Sequence, residues 1–353
     1  MALAELPEGE EGVYNRFVLC PSLEAYETAR ERLHGALALL LEGVAWRLGL
    51  RETPPPAEGT DGEVRAYLLA LEAHHRLGRD DREGAARLLE EAARCVEEIS
   101  PVFAARLYAE RGGLEGGLAG PGLRAVPFYR RSLDLFADTA FEQAQAEVWL
   151  QLGAAYQTEA QGRRELLLEA IRAYQEALKV LRPERDPEPY VLAQMNLGLC
   201  YLVLPMSEEG ARLRPAIAVQ ALREAQKWAD KETHPQLWAS ATLNLANALQ
   251  QLPSAHPEQN LWEAVALYEE VLAVRRKEED PLGFARVLAN QGNALAHLGL
   301  FAQAVPRLEE ARGLFEELGE VEGARAVETV LAEIQALRQG RGLAKGGRSD
   351  GAL

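Results

Sequence analysis

The sequence predicts an all-α solenoid of about six helix pairs, with an extra helix before the array and a capping helix after it. Three observations predict it. First, one phase of residues recurs four times. The run Trp149-x-x-Leu152-Gly153-x-x-Tyr156 is followed by Ala170, Tyr174 and Ala177, and Leu197-Gly198-x-x-Tyr201 by Ala218, Leu222 and Ala225. Leu245-Ala246 is followed by Ala264, Tyr268 and Val271, and Gly292 by Ala304, Leu308 and Ala311. Second, two more copies of the trailing triplet lie upstream, Ala85-Leu89-Ala92 and Ala125-Tyr129-Ser132, so that the small residue heading each triplet recurs at steps of 40, 45, 48, 46 and 40 residues. Third, 353 residues with 48% apolar and 26% charged side chains are ordinary globular composition, which a repeat array can spend on one body.

Each element follows from its own pattern. The acidic segment 1–21 lacks the basic start and apolar run of a secretory signal. After Pro21-Ser22, residues 22–50 read as one amphipathic helix, with Ala29, Leu33, Leu37, Leu40 and Leu41 among its apolar positions. Residues 51–62 carry Pro54-Pro55-Pro56 and two glycines and read as a linker. The array occupies 63–319. Within it, Ala170, Tyr174, Ala177 and Leu181 fall on one helical stripe. Pro127 and Pro306 each sit two residues after a triplet's alanine, and since proline is tolerated in a first helical turn, they suggest where those second helices begin. A stripe of Ala324, Val327, Leu331 and Ile334 makes residues 320–339 the capping helix, and the Gly-rich residues 340–353 are expected to be disordered.

The repeats resemble those of the tetratricopeptide (TPR) family, in the long-repeat form of kinesin light chains and of bacterial proteins that carry a CHAT protease domain, since the steps exceed the standard of about 34 residues. The resemblance implies a right-handed solenoid and a concave groove lined by the first helix of each pair. A small residue at 153, 198, 246 and 292 would let the neighbouring helix approach closely, while the aromatic or Leu fills the space between repeats.

The net charge of −16 repels phosphate backbones and anionic headgroups, so nucleic acid and membrane surfaces are poor partners. No uninterrupted apolar run approaches the roughly 18 residues of a membrane span. Cys20, Cys95 and Cys200 are odd in number and far apart, as in a cytoplasmic protein with reduced thiols. No phosphate-binding glycine loop followed by Lys-Ser or Lys-Thr and no HExxH motif is present. The glycine cluster 112–122 reads as a turn, and His74-His75 with Asp80-Asp81 as a solvated helix end, because adjacent helical residues diverge by about 100°. Neither catalysis nor a cofactor or metal is expected.

Candidate binding residues are the polar side chains that recur on first helices. Asn196, Asn244 and Asn290 each lie two residues before the small residue of their repeat, and Asn247 and Asn293 sit a turn further along. A carboxamide both donates and accepts, so a ladder of them suits the backbone of an extended peptide, yet the same groups serve equally to bond a neighbouring helix. Three net hydrogen bonds at about 0.5–1.5 kcal/mol each reach only millimolar affinity. The remainder would come from Leu192, Met195, Leu199, Leu202 and Val203, which the resemblance turns toward the groove. Arg286 and His297 alone do not make the cationic clamp that similar repeats use for chaperone tails. The expectation is a cytoplasmic, non-catalytic scaffold or adaptor for a protein or peptide segment. Alternatives are a peptide-responsive sensor whose N-terminal helix changes what it binds, and a self-assembling repeat, with homo-oligomerisation left open.

Overall fold

A computed structural model of the chain describes residues 8–116, 122–205, 213–253 and 256–339. Among these residues there are sixteen α-helices, one 3-10 turn and no strand. The chain divides into two compact units, Met1–Glu159 and Ala160–Leu353.

The first unit holds α1 (Glu10–Leu19), α2 (Leu23–Arg32), α3 (Gly35–Arg47), α4 (Gly62–Leu77), α5 (Arg82–Val96), α6 (Pro101–Gly113), α7 (Val126–Phe136) and α8 (Glu142–Thr158). Helices α1 to α3 pack on one another around Val13, Phe17, Tyr26, Ala29, Leu33, Leu41 and Ala45. The single helix expected over 22–50 is therefore two. Ser22 starts α2 by accepting the Ala25 N–H at 3.1 Å. The break falls where Leu33 takes an extended backbone to reach the core and Gly35 adopts φ 55°, a left-handed angle open to glycine. Part of the acidic segment is also helical, because Val13 and Phe17 are spaced one turn apart and both are buried. Residues 51–61 carry no helix, but Pro54 and Pro55 are buried, so this segment packs against the unit instead of hanging free. The pairs α4/α5 and α6/α7 stack next.

The second unit holds α9 (Arg164–Val180), α10 (Pro187–Val203), α11 (Leu213–Trp228), α12 (Pro235–Gln251), α13 (Pro257–Val274), α14 (Pro281–His297), α15 (Phe301–Glu317) and α16 (Val321–Arg338). Here α10/α11, α12/α13 and α14/α15 are the pairs. Every triplet-heading alanine, 85, 125, 170, 218, 264 and 304, is fully buried, and so are Tyr129, Tyr174 and Tyr268. The glycines act as the repeat pattern predicts. A Cβ on Gly198 would lie 2.7 Å from the Leu222 side chain, and one on Gly292 2.6 Å from Leu308.

Proline marks helix starts unevenly. Pro127 stands in the first turn of α7, but Pro306 lies inside α15, which begins at Phe301. Gly299, at φ 74°, precedes the start, and Pro306 is tolerated on a part of the helix where it and Ala302, four residues before it, are exposed. Two turns share a device: Asp81 accepts the Gly84 N–H at 2.9 Å and Arg76 at 3.2 Å, and Asp280 accepts Gly283 at 2.8 Å and Arg275 at 3.1 Å. The glycine is required, since its Cβ would fall about 2 Å from the capping carboxylate in both. The tail 340–353, residues 117–121 of the glycine cluster and residues 206–212 of the insertion after Leu204 lie outside the described residues.

Candidate functional site

In the second unit the first helices meet side by side, α10 on α12, α12 on α14 and α14 on α16, so they present a continuous face. The candidate asparagines lie on it, in differing states. Asn196 is half-buried and hydrogen-bonded to the hydroxyl of Tyr174, whose pKa burial pushes well above the ordinary tyrosine value. Asn290 is only 6% exposed and donates to Asn247 Oδ1 at 3.0 Å. Tyr268 Oη also donates to Asn247 Oδ1, at 2.6 Å, and in turn accepts from Gln250. Burial drives the Tyr268 pKa strongly upward, so its proton stays in place and the polarity of the chain is set.

The consequence is chemical. The carbonyl of Asn247 receives two hydrogen bonds, which leaves its NH2 group as a donor with no acceptor among the described residues. Asn244 and Asn293 are half-buried, and their amides have no partner among the described residues. The three residues expected as one ladder, Asn196, Asn244 and Asn290, are therefore not equivalent. Asn290 supports Asn247, and Asn196 is engaged with Tyr174. Next to this network, Gln291 donates to Glu269 at 2.9 Å and to the Val265 carbonyl at 3.3 Å, and Arg307 binds the same Glu269 oxygen at 2.9 Å.

Of the apolar candidates, Leu192, Met195 and Leu199 are half-buried. Met195 and Leu202 also pack on the core formed by Val191, Trp238 and Leu245, whereas Val203 is 58% exposed. Sequence reasoning missed Gln250, Glu269 and Gln291. For Gln250 the available signal was Tyr268, because a buried phenol needs a hydrogen-bond partner where Leu222 or Leu308 in the equivalent position needs none.

The position of the Asn247–Asn290 contact has a counterpart in the first unit. His74 follows the small residue Ala73 of α4 as Asn247 follows Ala246, and Glu110 precedes Gly112 of α6 as Asn290 precedes Gly292. His74 Nε2 lies 2.5 Å from Glu110 Oε1, and Nδ1 lies 2.6 Å from the Ala70 carbonyl. Both nitrogens face acceptors, which favours the imidazolium. The hydrogen bond to Glu110 raises its pKa above the ordinary value, against the smaller lowering by burial and by Arg47. His75 is turned elsewhere, edge-on to Trp46 at 5.9 Å.

These features define a TPR-type helical-repeat protein. No protein-family model matches the sequence, and no curated protein does at a significant level. Solved structures do match. The apo form of RapI aligns over 97% of this chain and 98% of its own, with a TM-score of 0.58 at 13% identity. A signal-transduction ATPase with a TPR sensor from Pyrococcus horikoshii aligns over 94% of this chain, which spans 54% of that protein, with a TM-score of 0.47 at 14% identity. A Rap protein complexed with competence and sporulation factor aligns over 96% and 98%, with a TM-score of 0.39 at 12% identity. No described helix is long and apolar enough to cross a membrane.

Proposed function

We propose that the chain is a non-catalytic interaction scaffold whose second unit holds an extended protein or peptide segment on the face formed by α10, α12 and α14. The observation that carries this reading is the Asn247 amide, whose oxygen is occupied twice and whose NH2 remains to meet an acceptor. A peptide carbonyl satisfies it, with Asn244 and Asn293 bonding the same backbone on either side. Leu192, Met195 and Leu199 are half-buried and supply the apolar contact that hydrogen bonds alone do not provide. The charge of −16 disfavours nucleic acid and anionic membranes and suits a cytoplasmic protein. Repeat steps of 40 to 48 residues suit the long-repeat form, as in kinesin light chains and CHAT-associated proteins.

A second reading, a peptide-responsive regulator, is favoured by the full-length correspondence to RapI, which extends over the three helices that precede the repeats. In that reading a peptide on the second unit alters what α1 to α3 bind. Crosslinked capture from native cytoplasm tests both, comparing wild type with a variant carrying Asn244→Ala, Asn247→Ala and Asn293→Ala whose folding is verified by circular dichroism. A specific protein or peptide retained by wild type and lost by the variant supports the site. Identical capture by both proteins sinks it.

A further inference from the structure

The first unit contains a hollow that the scaffold reading does not use. It is broadly open to solvent, has a volume of about 430 Å³ and is lined by Tyr14 from α1, Leu40 from α3, Glu63, Val64 and Tyr67 from α4, and Phe103 from α6. Tyr14 packs at the edge of the core inside α1 to α3, and Phe103 at the edge of the core of the first repeats, so the hollow opens between two apolar cores. Its volume is within the roughly 300–1,000 Å³ of small-molecule sites. Three of its six lining residues are aromatic, and its single charge is the Glu63 carboxylate, which is exposed and forms no ion pair among the described residues.

We propose that this hollow binds a small organic ammonium ion, of the quaternary or alkylated type. Aromatic rings carry negative potential on their faces and attract a cation even at an exposed site, and a weakly hydrated alkylammonium gives up its outer water more readily than a primary ammonium does. The unpaired carboxylate at the rim adds attraction of the same sign, in a chain with net charge −16. No lining residue is cationic. The Arg47 guanidinium is hydrogen-bonded to the Tyr67 hydroxyl, so it stands at the phenol end of that ring. The Tyr14 hydroxyl has no hydrogen-bond partner among the described residues, and burial raises its pKa, so it stays neutral and free to accept or donate to a polar tail on the ligand.

Chemical-shift titration of the full chain with choline and tetramethylammonium, and with 3,3-dimethylbutan-1-ol as the neutral isostere of choline, tests the proposal. Choline is expected to bind about tenfold more tightly than the isostere, the range that cation–π and carboxylate attraction supply together. Phe103→Leu keeps the hollow apolar and should weaken choline about fivefold while leaving the isostere within about twofold. Glu63→Gln changes an exposed side chain, leaves the fold intact and should weaken choline roughly threefold. Equal affinity for choline and its isostere would make this an apolar pocket and overturn the proposal. So would choline binding indifferent to both substitutions, or no binding by about 50 mM.

Discussion

The same substitution, glycine to alanine, should act in opposite directions at two helical positions of the second unit. In Gly198→Ala the new Cβ lies 2.7 Å from Leu222 Cγ and 3.1 Å from the Ala218 carbonyl oxygen. Leu222 is fully buried among packed neighbours, and the carbonyl belongs to α11 itself, so relief requires α10 and α11 to separate. Overpacking of this kind costs about 1–3 kcal/mol, while alanine's better helix propensity returns roughly 0.5–1 kcal/mol. From the midpoints of those ranges the net is about 1 kcal/mol of destabilisation, a fall in Tm of roughly 2–4 °C for a unit of this size. In Gly313→Ala, on α15, the Cβ meets nothing within 4 Å. Only the propensity gain remains there, and Tm should rise by roughly 1–4 °C. Thermal unfolding followed by circular dichroism, with urea midpoints as a check, separates the two. If both variants shift Tm the same way, or if Gly198→Ala melts within about 1 °C of wild type, close helix approach is not what this glycine is for.

Three further outcomes follow from contacts described above. The His74–Glu110 contribution belongs to a histidine whose native pKa is raised, so it is fully present below about pH 6.5 and is lost as pH rises through the native value. The difference in urea midpoint between wild type and His74→Gln should therefore shrink from pH 5.5 toward pH 8.5, and a difference constant with pH would refute the assignment. Tyr268→Phe removes the hydroxyl between Gln250 and Asn247, and should cost about 1–3 kcal/mol and weaken partner capture without touching the exposed face. Asp280→Ala deprives Gly283 of its acceptor and should lower stability by about 0.5–2 kcal/mol, read from the urea midpoint.

Much of the fold was legible because periodicity reports burial. The six alanines that head the triplets are fully buried, and the glycines at 198 and 292 meet the leucines of their own repeats. Local breaks were less legible. The run 22–50 keeps helical spacing on both sides of Leu33, and only the backbone, extended at Leu33 and His34 and left-handed at Gly35, divides it. Pro306 misled because exposure, which decides whether a proline is tolerated past the first turn, is not written in its spacing from Ala304. The candidate site shows the deeper limit. Repeat phase identifies Asn196, Asn244 and Asn290 as equivalent, but which residue of the adjacent first helix each one meets depends on the offset between helices. That offset comes from packing, and it set Asn290 against Asn247 and His74 against Glu110.

The position where successive first helices meet is filled differently in the two units. It holds a histidine and a carboxylate between α4 and α6 of the first unit, and two asparagines, Asn247 and Asn290, between α12 and α14 of the second. An ion pair weakens with added salt and with the loss of its proton, and an amide pair yields to urea, which competes for the same bonds. Chemically dissimilar joints do not loosen together under one condition. Each therefore carries its own sensitivity to the medium, and a change in salt, acidity or urea would be felt first at one joint while the other holds.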